Sequence, residues 1–293
     1  MTISPSMEKT KLSLEDLVVQ AGGMRAIPAA ARKVLDLVDD DNTSSAVLGE
    51  ALSKDQALAA HVLKVANSAL YGCSREIATL PMAVSVLGRK ALRNQTIVVT
   101  TRGVYKRFGI TEKMLWSHAV CTAIGARLIA RKCCPPMAED AFICGLMHDV
   151  GKVILNNECP EMFADVMMRT YNDGEPYLQA ERQLFGYSHT QVGALVTQRW
   201  NYPTMISQVA LHHHSYEEST PTLDGAGAEN ILACVDQSNT ICKILGAGYR
   251  QPHAEVVLET RPSFHLLKLS ADQIPVLIAE TQEALAKESA GWA

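Results

Sequence analysis

Residues 141–155 form an apolar run interrupted by three polar side chains, His148, Asp149 and Lys152. An imidazole and an ionised carboxylate buried side by side are costly unless something pairs with both. A divalent cation is such a partner. Consecutive residues on a helix are about 100° apart, so His148 and Asp149 can lean to one side of it. Lys152 lies one turn beyond His148, within reach of a phosphate or a third carboxylate. An isolated His-Asp pair is ordinarily a surface feature or a satisfied hydrogen bond. The apolar flanks set this one apart, as do further histidines in similar surroundings.

His118 stands beside a stripe made by Leu115, Thr122 and Leu128, where a lone histidine is ordinarily a hydrogen-bonded core residue. Asp236 closes the apolar stretch Ile231 to Val235 in mid-helix, a position that rules out capping and demands a partner. His189 follows Ser188 at a helix start, where the plain alternative is a surface histidine. His212, His213 and His214 point in three directions, so no more than two serve one site. Taken jointly, His118, His148, Asp149, His189, a histidine pair and Asp236 come from five expected helices. The pair is either 212/213 or 213/214. This donor set suits Fe or Mn, with Zn, Ni, Co and Mg as alternatives, and a bridging Asp149 suits two ions.

The elements that must position these groups are helices. The chain has 293 residues, 47% of them hydrophobic, which is enough for a sizeable core. Apolar residues recur at helical spacing and almost no strand alternation is seen, so the expected class is all-α. Helices are expected at 14–19, 29–38, 44–52, 55–69, 80–87 and 91–101. In the second half they are expected at 114–132, 139–155, 161–172, 175–184, 188–200, 203–214, 229–245 and 271–287. Residues 1–11 read as a loose leader, and 215–228 and 250–262 as irregular segments. A polar gap at 106–111 divides the chain into a two-part helical bundle, with an N-terminal subdomain (13–110) and a second helical domain (111–293). Lys and Arg number 27 against 31 Asp and Glu, a net charge of -4. That balance argues against a nucleic-acid partner. Arg89, Lys90 and Arg93 are the best local basic patch and read as a solvated helix face. No apolar run suits a membrane span or signal peptide, so a cytoplasmic, membrane-free protein is expected. Eight cysteines without C-x2-C spacing argue against a disulfide framework.

These residues resemble the HD superfamily of metal-dependent phosphohydrolases, whose ordered signature His…His-Asp…Asp matches His118, His148-Asp149 and Asp236. The nearer resemblance is to the HDOD family, the HD-related output domain of bacterial signalling proteins. It is carried by Ile27-Pro28, the 58–69 stretch ending Ala-Asn-Ser-Ala, and the 77–88 stretch ending Ala-Val-x-x-Leu-Gly. Val192-Gly193-Ala194, Trp200-Asn201-Tyr202-Pro203 and His212-His213 add to it. The resemblance covers residues 13–245. It implies an all-helical fold, with an N-terminal half for docking and an HD-type half for the metal. HD-GYP phosphodiesterases, which hydrolyse cyclic di-GMP, are similar at His189, His212-His213 and Lys152. No Gly-Tyr-Pro follows the paired histidines here, which weighs against that substrate.

Two functions follow from the resemblance. The first is a signalling output module with a bound metal centre, whose partner is a signalling protein or a small phosphorylated ligand. The second is a metal-dependent phosphohydrolase acting on a cyclic dinucleotide, nucleotide or other phosphoester. In the second, Asp149 and Lys152 carry the chemistry. The module is the preferred reading.

Overall fold

The computed structural model describes residues 12–23, 28–68, 71–73, 75–106, 109–217, 223–253 and 256–292. The expected leader, 1–11, and Ile27 lie outside them. Fifteen α-helices are found among the described residues, with no strand. The first five are α1 (Leu14–Gly23), α2 (Ala29–Val38), α3 (Ser45–Leu52), α4 (Gln56–Ala66) and α5 (Leu80–Arg102). Side chains set their starts. Ser44 caps α3 by accepting from the Val47 amide at 3.4 Å, and Asp55 caps α4 by accepting from Leu58 at 3.0 Å. After α4, the Asn67 side-chain amide clasps Ile77, accepting from its N–H at 2.8 Å and donating to its C=O at 2.9 Å. This clasp is what the Asn of the Ala-Asn-Ser-Ala stretch does. The helices expected at 80–87 and 91–101 are joined in α5 across a kink at Gly88, whose φ of 73° suits a residue without Cβ. Arg89, expected on a solvated face, turns inward instead. Its guanidinium donates to the carbonyls of Val38, Asp41 and Thr43 and ties α5 to the end of α2.

The next helices are α6 (Ile110–Cys133), α7 (Ala138–Met147), α8 (Val150–Glu158), α9 (Pro160–Asp173) and α10 (Tyr177–Phe185). They are followed by α11 (His189–Arg199), α12 (Thr204–His212), α13 (Ala228–Leu245), α14 (Pro262–Leu266) and α15 (Gln273–Trp292). α6 packs against α7 and α13, α8 against α11, and α11 against α12. Towards the N-terminal helices, α5 packs against α7 and α1 against α11. The buried side chains of both parts, from Leu17 and Val34 through Phe142 and Phe163 to Leu277, belong to one continuous core. Burial of apolar surface at about 25 cal/mol per Å² drives this assembly.

Two expectations about local structure are corrected. The run 139–155 is not one helix: it breaks at Asp149, which has φ -102° and ψ 12°. One straight rod could not pack its first half on α6 and its second half on α11. The helix expected at 203–214 stops at His212, and the chain turns at His213 and His214. Residues 250–261, where described, are irregular as expected and lead into α14, a short helix the sequence did not show; Arg261 before it and Ser263 within it reach the interior.

At Gly151 the backbone of α8 meets that of α11. A Cβ built there would overlap the His189 carbonyl oxygen and lie 2.9 Å from the Gly193 nitrogen. Gly151→Ala is therefore expected to cost about 3 kcal/mol, the upper range for overpacking. The check is the urea-unfolding midpoint at unchanged slope.

Candidate metal centre

Asp149 is 5% exposed, and four imidazoles surround its carboxylate. The break after α7 delivers His148 and Asp149 together, α6 delivers His118, the start of α11 delivers His189, and the turn after α12 delivers His213. On one carboxylate oxygen, Oδ2, the Nε2 atoms of His118 and His148 stand at 3.6 and 3.4 Å. On the other, Oδ1, those of His189 and His213 both stand at 3.3 Å. His214 joins the second group through the same turn. Two clusters of potential ligands thus share Asp149, one on each oxygen.

Which nitrogen of each ring holds a proton follows from the far side of the ring. The Nδ1 of His118 faces the Ala247 carbonyl at 3.2 Å, that of His148 the Gly145 carbonyl at 2.7 Å, and that of His213 the Ala210 carbonyl at 3.0 Å. A carbonyl oxygen only accepts, so each of these nitrogens must donate. The Nδ1 of His189 likewise donates to Glu181 Oε2 at 2.7 Å. Every neutral ring therefore turns the lone pair of its Nε2 toward Asp149. The Nε2 atoms of His189 and His213 also face each other at 3.2 Å. Among the hydrogen bonds of the described residues, His148 Nε2 and Asp149 Oδ1 find no partner although both are buried. Lone pairs crowded on an anion repel unless a cation lies among them, so the residues present fit one or two divalent metal ions. Metal-ligating imidazoles are ordinarily oriented in this way, each giving its other N–H to a carbonyl or a carboxylate.

The electrostatics agree. Burial works against the charge of Asp149, but its interaction with His148 and Lys152 holds the carboxyl well below the usual range. Burial pulls His118 and His213 down to about 3, leaving both neutral and able to ligate. At His189 burial also acts downward, but the Glu181 carboxylate prevails and raises it, making its Nε2 more basic toward a proton or a metal.

Lys152 lies on α8, with its ammonium 2.8 Å from Asp149 Oδ2 and 4.3 Å above the Tyr177 ring. It and His214 also line a cleft of about 670 Å³ shared with Tyr171, Asn239, Lys243, Tyr249 and Arg250. That volume is the size of a small-molecule site. The centre thus adjoins a cleft with cationic and aromatic walls.

Two expected ligands lie elsewhere. His212 is half-buried on the far side of the turn, with Nδ1 3.3 Å from the Ser215 hydroxyl, so the pair near Asp149 is 213/214. Asp236 is buried but falls in neither cluster. Arg261 holds its carboxylate bidentately, with Nε 2.8 Å from Oδ2, and the Ser263 hydroxyl donates to it as well. The partner that a buried aspartate requires is a guanidinium here. Sequence reading missed Glu181, which is fully buried and accepts both the ring and the backbone N–H of His189. Its one signal was a lone acid eight residues before a histidine. It also missed the Ala247-Gly248 turn and Tyr249, which pack on His118.

A model of the HDOD domain matches residues 24–216. The chain belongs to the HDOD family. A solved HDOD domain protein of unknown function from Geobacter sulfurreducens is 25% identical, with a TM-score of 0.70 over 92% of this chain and 99% of that one. A Shewanella amazonensis protein provisionally named a phosphohydrolase has a TM-score of 0.66 at 23% identity, over 93% of this chain and 94% of its own, which is a likeness of fold. An uncharacterised Treponema pallidum protein is 26% identical over 70% of this HDOD chain. The matched part is 42% of that relative's length.

Removing the anion behind His189 with Glu181→Gln should weaken metal binding about 10- to 100-fold, measured by competition with a chelating dye. In the same assay His213→Ala should lose more than Glu181→Gln does, and His212→Ala should match the unaltered protein. Without metal, the unfolded chain takes up protons below pH 6.5 that folded His118 and His213 refuse until about pH 3. Stability should then fall on acidification between about pH 6.5 and 3, by about 1.4 kcal/mol per pH unit for each such histidine, whereas the raised His189 adds stability as pH falls only until 6.5 is reached. Unfolding midpoints at stepped pH test the sign.

Proposed function

We propose that this HDOD protein is a signalling output module that holds two divalent cations on Asp149 and uses them, with Lys152, to capture a small phosphorylated ligand. The observation that carries the reading is the convergence of four imidazole Nε2 atoms on one carboxylate, two on each oxygen. An aspartate shared in that way is the bridging ligand of a two-ion site. His118 and His148 would serve one ion, and His189, His213 and His214 the other. Fe or Mn suits the mixture of imidazole and carboxylate, with Zn, Ni, Co and Mg as alternatives. The cleft supplies the place for the ligand. Lys152, Lys243 and Arg250 on its walls suit an anion, and Tyr171, Tyr177 and Tyr249 suit an apolar or aromatic body.

A second reading, phosphoester hydrolysis, is favoured by the position of Lys152 at both the centre and the cleft. Ions bound there would polarise a phosphoryl oxygen and lower the pKa of a bound water. Lys152 would offset the charge that develops on the phosphoryl group, and Asp149 would keep both halves of the site in register. The phosphohydrolase name of the Shewanella relative supports this reading as an analogy of fold.

Elemental analysis of purified protein should give about two ions per chain, and close to none for Asp149→Ala. Inorganic phosphate should bind the metal-loaded protein and bind at least tenfold more weakly to Lys152→Ala, measured by calorimetry. Metal absent from both proteins would remove the proposal. Steady turnover in a screen of phosphodiesters and nucleotides would favour hydrolysis over the module.

A further inference from the structure

We propose that Cys134 and Cys234 form a reversible, peroxide-oxidisable dithiol that joins the end of α6 to α13. The two residues are 100 positions apart in sequence, yet their sulfurs stand 3.9 Å from each other. Cys134 follows the last residue of α6 and has φ -147° and ψ 66°, outside the helical range. It is half-buried, and the connector Pro135–Met137 begins directly after it. Cys234 projects from α13 and is fully buried.

This placement divides the labour of a thiol pair. Cys134 can meet a small oxidant, and Cys234 waits behind it. A hydrogen bond from the Cys234 thiol brings Cys134 down to about 7, so a large share is thiolate at neutral pH. The same contact, together with burial, keeps Cys234 protonated. The neighbouring Cys133 is pushed up by burial. Cys121 and Cys242 also adjoin each other, but both are fully buried, out of reach of an oxidant in solution.

The chemistry balances with one hydrogen peroxide. The Cys134 thiolate attacks one peroxide oxygen, the O–O bond breaks, and the departing hydroxide takes a proton to become water. Cys134 is then a sulfenic acid. Cys234 gives up its proton and its sulfur attacks that of Cys134. The S–O bond breaks, and the hydroxyl leaves as a second water. The two thiols lose two electrons and two protons, and the peroxide is reduced to two waters. Sulfurs 3.9 Å apart must close to about 2.05 Å. Cys134 caps α6, its N–H donating to the Ala130 carbonyl at 2.7 Å, and its φ and ψ lie outside the helical range, so the closing movement falls at the end of the helix and not within it. The bond would fasten the connector between α6, which carries His118, and α7, which runs into His148 and Asp149.

The test treats the full-length chain with a small molar excess of hydrogen peroxide, digests it without reduction and maps the peptides by mass spectrometry. The expected product is a Cys134–Cys234 cross-linked peptide that disappears with dithiothreitol. The oxidised protein should melt several degrees higher than the reduced one, because a loop of about 100 residues is closed. Cys133→Ser should leave the link intact. Cys234→Ser should leave Cys134 as a sulfenic acid that dimedone traps. A Cys133–Cys134 link would overturn the proposal, as would a wild-type chain in which Cys134 and Cys234 stay reduced while other residues oxidise. The wild-type map alone decides this even if a serine variant fails to fold.

Discussion

One carboxylate ringed by lone pairs is the constraint on which the second half of the molecule depends. Asp149 is buried and ionised, and four imidazole nitrogens point at it. Left alone, that arrangement would be opposed by desolvation and by repulsion among acceptors. Lys152 offsets part of the cost, and bound cations would offset the rest. The surrounding helices hold this arrangement because they are fixed by their own apolar packing. The break between α7 and α8, the turn after α12 and the backbone contact at Gly151 all bring the rings to this point.

The outer partners matter as much as the rings. Three imidazoles are oriented by backbone carbonyls, which a side-chain substitution cannot remove. The fourth, His189, relies on Glu181, a carboxylate with no exposure at all. A carboxylate behind a ligating histidine raises that ligand's basicity. His189 is therefore the more basic of the two rings on Oδ1, since burial pulls the other, His213, down. The cleft meets the centre at Lys152 and His214, so a ligand would approach from that side.

The N-terminal helices bear on the site through packing. α5 lies against α7, and α1 against α11, two helices that carry or lead into cluster residues. The signalling role proposed above would need a mechanical link of this kind. The shared core supplies a continuous path of buried side chains for it.

Local pattern was enough for the helical class, most element positions, the family and the choice of His118, His148, Asp149, His189 and Lys152, which the fold brings together. The helices follow from periodicity, the candidate ligands from polar residues stranded in apolar runs, and the family from a resemblance in short motifs, all of them local properties. Asp236 shows where local reading stops: its need for a partner was legible, but the partner's identity was not. Arg261 lies 25 residues away beside a helix of five residues, too short for periodicity to reveal. The choice of 213/214 over 212/213 likewise depended on where α12 ends, and consecutive histidines carry no signal for that. Glu181 and the Cys134–Cys234 contact were decided by tertiary structure alone. Which groups meet across a core depends on how whole helices pack, and no residue's neighbours in sequence encode it.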